Sequence, residues 1–212
     1  MGNLDDLLLG YRAFRLGTYR QNEEKYRQLA ERQQDPKAMI ICCCDSRADP
    51  AMIFSAEPGE LFVVRNVANV VPPYQPDDRR HGTSAALEFG ITVLEIADLI
   101  VMGHAKCGGV AALHGSLKNR IKGEFIPQWV DVIRPVAEAV MSEAPHLETD
   151  QLRRTIERQA VVHSLTQLMT FPFIRERVDA GTLRLHGMFY GIGSGMLEMF
   201  NQQSRAFEPV AV

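Results

Sequence analysis

Ala38-Met39-Ile40-Ile41-Cys42-Cys43-Cys44 is an unbroken apolar run, bounded by Asp35-Pro36 before it and Asp45-Ser46-Arg47 after it. A strand with one wet face alternates apolar and polar residues. A short run that is apolar at every position is the pattern of a strand buried on both faces. Leu61–Val64, which follows the turn Glu57-Pro58-Gly59, and Asp98–Gly103 read the same way. Helical stretches separate and follow these runs. They span Thr83–Ile96, a helix opened by Gly108-Gly109, Pro127–Met141 and Thr149–Thr170, each ended by proline or glycine punctuation. Thr182–Tyr190 and Met196–Phe200 flank Gly191-Ile-Gly-Ser-Gly195. That glycine run resembles a phosphate loop, but it leads into a strand rather than a helix, so a hairpin turn is the better reading. Upstream, Leu4, Leu7, Leu8, Tyr11 and Phe14 recur at helical spacing, and a second helix runs from about Glu23 to Gln33. An arm that apolar must pack on its own core or on a second subunit. The pattern predicts an α/β fold: a central, mainly parallel sheet with an antiparallel edge strand, flanked by helices, with an amphipathic N-terminal helical arm.

At 212 residues the chain is long enough for one compact domain, read here as an arm over residues 1–34 and a core over 35–212. The hydrophobic share of 46% against 23% charged excludes a disordered chain. A formal charge of −3 leaves no basic excess for a phosphate backbone, so nucleic acid is not an expected partner. The most apolar window, Gly90–Gly103, is interrupted by Glu95 and Asp98 and is too short to span a bilayer. Asp5 and Asp6 sit inside the first leucine cluster, unlike a secretory leader, so a cytoplasmic protein without a membrane partner is expected.

Three of the four cysteines are consecutive, which is no disulfide framework. In a reducing compartment metal binding or catalysis is the alternative to simple packing. Residues two apart in an extended segment share a face. Cys43, Asp45 and Arg47 can therefore point one way while Cys42 and Cys44 point the other, buried as packing. The loop His104-Ala-Lys-Cys107-Gly-Gly109 ends another predicted strand, and the carboxyl ends of parallel strands are where α/β sheets place ligands. Cys43, His104 and Cys107 offer two thiolates and an imidazole, a set that suits zinc with an open fourth position. His81, His114, His146, His163 and His186 show no ligand spacing. The triple cysteine leaves Cys44 as an alternative to Cys43, although Asp45 and Arg47 share the face of Cys43.

Cys43-x-Asp45-Ser46-Arg47, Phe62-Val-Val-Arg65-Asn66-Val-Ala68-Asn69, Gly82-Thr-Ser-Ala-Ala-Leu-Glu88-Phe89 and Gly103-His104-x-x-Cys107-Gly108-Gly109 together resemble the β-class carbonic anhydrases. The similarity continues through Ser164-Leu165, Phe171-Pro172 and Leu185-His186-Gly187. The resemblance implies a zinc lyase with one Zn²⁺ per subunit. Such an enzyme interconverts carbon dioxide and bicarbonate by attack of zinc-bound hydroxide, as a homodimer or dimer of dimers with each site at a subunit interface. It implies Cys43, His104 and Cys107 as ligands and Asp45 and Arg47 as the dyad beside the metal. Asp45 would accept a hydrogen bond from the nucleophile, and Arg47 would keep Asp45 ionised and off the metal. It further implies a substrate pocket lined by Gln34, Phe62, Val67 and Phe89. Some members hold a regulatory bicarbonate on a Trp, an Arg and a Tyr. Arg65 and Tyr190 match two of those positions, but Ile40 stands where the Trp would be, so that site is expected to be absent. Relatives that hydrolyse carbonyl sulfide or carbon disulfide on the same zinc site are the rival reading. A non-catalytic zinc or redox-sensing protein is a further one, against which Asp45 and Arg47 argue.

Overall fold

A computed structural model describes residues 4–113 and 123–211, so His114 lies outside the described residues. The chain divides into two compact units, Met1–Asp35 and Pro36–Val212. The first is helical: α1 (Leu4–Leu16), α2 (Thr18–Gln21) and α3 (Glu23–Glu31). Its own cohesion comes from a cluster in which the Tyr19 and Tyr26 rings stack at 5.0 Å and Phe14 meets both edge-on. Leu4, Leu7, Leu8, Leu9 and Tyr11 remain exposed.

The second unit is built on six strands: β1 (Ala38–Cys43), β2 (Leu61–Asn66), β3 (Asp98–His104), β4 (Arg184–Tyr190), β5 (Leu197–Asn201) and β6 (Ala206–Pro209). Their order is β2-β1-β3-β4-β5-β6, parallel through β4 and antiparallel beyond it. The expected fold class is therefore found, with two antiparallel strands at the edge rather than one. β6 escapes sequence reading because it is short and mostly exposed.

The apolar run of β1 divides between the two faces of the sheet. Met39 and Ile41 join Leu99 and Val101 in a core that also holds Val161, Leu165, Leu168 and Phe171. Ile40 and Cys42 join Ile100 and Met102 on the other side. Each of these large side chains contributes roughly 1.5–3 kcal/mol by leaving water. Helix α9 (Thr149–Leu168) covers the first face through Ile156, Ala160, Val161, Ser164 and Leu168. It comes so close to β3 that a Cβ at Gly103 would lie 2.6 Å from Val161 Cγ2.

Two expected helices are interrupted. The segment after His81 forms α5 (Gly82–Glu88) and then a wider turn over Phe89–Val93, in which the Leu94 N–H donates to the Phe89 carbonyl. The widening falls where Gly90 abuts Met39, at a spot with no room for a Cβ. The Pro127–Met141 segment is α7 (Ile126–Val130), a 3₁₀ turn and α8 (Arg134–Glu143). Pro135, which lacks an N–H, sits in the first turn of α8 and so starts a helix rather than continuing one. Short α4 (Pro50–Ile53), α6 (Gly108–Ala111) and α10 (Pro172–Asp179) complete the unit.

Candidate metal centre

Parallel pairing sets β1 beside β3, so the carboxyl ends of both strands emerge at one edge of the sheet. Cys43 is the last residue of β1, His104 the last of β3, and Cys107 precedes α6. Their ligand atoms all lie within 4.8 Å of one another, and the two sulfurs are 3.9 Å apart. All three residues are buried. Cys42 turns to the opposite face, where burial pushes its thiol up to about 12 and keeps it neutral. Cys44 departs from expectation. It lies one residue past the β1 ladder, its N–H still donating to the Asn66 carbonyl, and its side chain is exposed rather than buried as packing.

Nδ1–H of His104 donates to the Ala105 carbonyl at 2.9 Å, so the Nε2 lone pair faces the two sulfurs. That Nε2 is buried and has no hydrogen-bond partner among the described residues. An orphaned imidazole nitrogen aimed at two thiols is a costly arrangement for a packed core and a natural one for a metal ligand. Two sulfurs, one imidazole and, among the described residues, no fourth side chain fit Zn²⁺ with an open position. Cys107 donates to Cys43 and holds that thiol far below the ordinary range. His104 and the N–H groups of Asp45 and Ala68 reinforce the effect against burial, and Cys107 is raised in turn. Burial alone would lower His104, but Cys43 and the Ala105 carbonyl outweigh it and the net shift is upward.

Asp45 and Arg47 form a fork: Arg47 Nε reaches Oδ1 at 2.9 Å and Nη2 reaches Oδ2 at 2.7 Å. The guanidinium holds the Asp45 carboxyl well below the usual carboxylate range. Asp45 Oδ2 stands 3.8 Å from His104 Nε2, beside the cluster. Arg65 braces this loop from behind, donating to the carbonyls of Cys43 and Asp45 and pairing with Asp49 at 2.8 Å. Ile40, at the position discussed with Arg65, is fully buried in the sheet.

Five further residues shape the site that sequence reasoning did not assign to it. Ala68 adopts φ 65° and directs its N–H to the Cys43 sulfur at 3.4 Å. The side chain of Asn66 bonds Val70 on both its N–H and its carbonyl, and Trp129 Nε1–H donates to the Val67 carbonyl at 2.7 Å. Gly109 fits beneath this turn, where a Cβ would come within 2.8 Å of Ala68 Cβ and Val67 Cγ1. Glu157, buried on α9, accepts from the Cys107 N–H at 2.9 Å. Burial raises its pKa, and its second oxygen has no hydrogen-bond partner among the described residues.

The four residues expected in the substrate pocket lie as follows. Val67 packs against the cluster that contains Cys43 and Cys107. Phe62 and Phe89 stack on each other at 6.0 Å, with Phe62 on the Met39 core and Phe89 exposed. Gln34 is exposed and belongs to the first unit. His81 and His186 pair with Asp77 and Asp98, His163 contacts Gln167, and His146 is exposed.

A family model described as carbonic anhydrase matches residues 38–197. The chain is 37% identical over 186 residues to β carbonic anhydrase 5, chloroplastic, of Arabidopsis thaliana, covering 88% of this chain. It spans only 61% of that relative's length. Among solved structures it is similar to the β-carbonic anhydrase CcaA, with a TM-score of 0.88 and 32% identity over 99% of this chain and 100% of that one. It is also similar to tetrameric β-carbonic anhydrases of Sordaria macrospora, with a TM-score of 0.82 and 27% identity over 93% of this chain and 96% of the other. The fold, the strand-end cluster and these likenesses agree, and the chain belongs to the β-class carbonic anhydrase family.

Proposed function

We propose that the chain catalyses the reversible hydration of carbon dioxide to bicarbonate and a proton, with one Zn²⁺ held by Cys43, His104 and Cys107. The observation that carries this reading is the orphaned Nε2 of His104 facing two sulfurs, with the Asp45–Arg47 fork alongside. When bound, zinc supplies a Lewis acid that acidifies water at its open position. Asp45, kept ionised by Arg47, can only accept hydrogen bonds. It therefore takes one from the attacking water and aims a lone pair at the substrate carbon. Arg47 spends two donors on Asp45 and so holds the carboxylate in one orientation. Buried apolar walls around Cys43 and Cys107 keep bulk water from competing.

The same proposal assigns Gln34, Phe62, Val67 and Phe89 to the substrate pocket. The partly exposed Phe62–Phe89 stack supports a pocket completed at a subunit interface. It also takes the chain to be a homodimer or dimer of dimers, consistent with the exposed apolar arm, and organised as one domain with an arm over 1–34 and a core over 35–212. No helix among the described residues is long and apolar enough to cross a membrane, and the proposed setting is cytoplasmic.

The test is pH-indicator stopped flow on reduced, zinc-loaded protein, with Cys43→Ser as control. Rapid hydration lost in the variant is the expected result. No hydration by fully metallated wild type would overturn the proposal, and carbonyl sulfide hydrolysis would then be assayed on the same sample.

A further inference from the structure

Beside the Lys106 turn a pocket of about 630 Å³ opens whose walls carry Arg47, Lys106, Arg153, Arg154 and Arg158 against one carboxylate, Glu198. Three of these cations are already matched. Arg47 is held by Asp45 and Arg153 by Asp150, while Arg158 makes two 2.8 Å bonds to Glu198 and lies 4.3 Å over the Phe189 ring. Lys106 and Arg154 make no ion pair with any described residue. The pocket therefore keeps about two uncompensated positive charges, set among guanidinium groups whose orientation is fixed by their partners.

The glycine turn joining β4 to β5 forms another wall. Within it the Gly191 N–H goes to the Met196 carbonyl, and the N–H groups of Ser194 and Gly195 go to the Gly191 carbonyl. The N–H groups of Ile192 and Gly193 are used by no described residue. Gly193 has open space where a Cβ would stand, so an approaching ligand meets bare backbone there. The turn is a hairpin and not a phosphate loop, yet it presents unused donors to the same space as the unmatched cations.

We propose that this pocket is a binding site for a tetrahedral dianion of the phosphate class, separate from the metal centre and independent of the hydration reading. Two uncompensated charges match a dianion better than a monoanion. Guanidinium, ammonium and backbone N–H donors are the groups that recognise phosphate oxygens. The volume leaves room for a small group esterified to the phosphate. Arg47 links the two sites, because it lines the pocket while its guanidinium holds Asp45.

Isothermal titration calorimetry at constant ionic strength tests the proposal, using zinc-loaded full chain with inorganic phosphate and, separately, glycerol phosphate. The variants are Arg154→Glu, Arg154→Ala, and Arg175→Glu as an exposed charge reversal outside the pocket. Saturable binding is expected in the wild type. The dissociation constant should rise at least tenfold in R154E and severalfold in R154A, and stay within twofold in R175E. Tighter binding of glycerol phosphate than of phosphate assigns the site to an ester, and the reverse order assigns it to the free ion. Wild-type affinity in R154E would place the anion at the metal and overturn the proposal. Equal losses in R154E and R175E, reflecting net charge alone, would overturn it too, as would no binding by wild type at millimolar phosphate.

Discussion

Truncating Glu157 to alanine should loosen the metal centre without touching a ligand. Its Oε1 accepts the Cys107 N–H at 2.9 Å, and the carboxylate is almost wholly buried. A hydrogen bond to a charged acceptor contributes about 1.5–3 kcal/mol, and its loss would leave that N–H buried and unmatched. Removing an outer partner of a metal ligand typically lowers affinity about 10–100-fold, which is about 1.4–2.8 kcal/mol, so two independent routes give the same range. Glu157→Gln keeps an acceptor and loses the charge. The difference between charged and neutral bonds is about 1 kcal/mol, or roughly fivefold. Zinc affinity measured by competition with a fluorescent chelator should therefore fall in the order wild type, E157Q, E157A. Thermal denaturation of the metal-free proteins would show that each variant is folded. Zinc affinity in folded E157A within twofold of wild type would refute the reasoning, and equal losses in both variants would refute the part assigned to the acceptor.

Cys43→Ser should abolish stoichiometric zinc in dialysed protein, whereas Cys44→Ser, altering an exposed side chain, should retain it, as read by elemental analysis. Gly109→Ala must push a methyl to within 2.8 Å of Ala68 and Val67, an overpacking expected to cost about 1–3 kcal/mol by chemical denaturation. The Arg184 guanidinium, with His186, depresses Asp98 from 3.8 to about 2 in the folded chain. A depressed carboxylate stabilises above its unfolded pKa, and that contribution is lost as pH falls from about 4 to about 2. Because Arg184 is largely exposed, screening reduces it to about 1 kcal/mol. Asp98→Asn should remove that much at pH 7 and flatten the fall of stability over this acid window.

Much of this arrangement is legible in the residue order. Alternation along β1 separates Cys42 from Cys43, and the two do face different cores. Alternation fails at Cys44 because the chain has already left the ladder there, and the period of a strand says nothing about a loop. Glu157 carries a signal that was available: on α9 it occupies the stripe of Val161, Ser164 and Leu168, and a charge in a buried stripe calls for a partner. What it bonds, the N–H of a residue 50 positions away, is tertiary information. The left-handed turn at Ala68 is hidden for a different reason. Nothing in alanine favours φ 65°, which is imposed from outside by the Asn66 side chain and the Trp129 indole.

The uneven spacing of the three proposed ligands would couple metal capture to the assembly of the sheet. His104 and Cys107 are neighbours in the chain and can seize an ion in an unfolded coil, whereas Cys43 lies 64 residues before Cys107 and joins them only when β1 pairs with β3. An ion held by the local pair stabilises unfolded and folded chains alike and contributes nothing to the balance between them. Only the third bond would discriminate, and it would be made across the two inner strands of the parallel part of the sheet. Zinc in this protein would thus act as a fastener whose grip tightens on completion of the sheet, and its removal should first release the seam between β1 and β3.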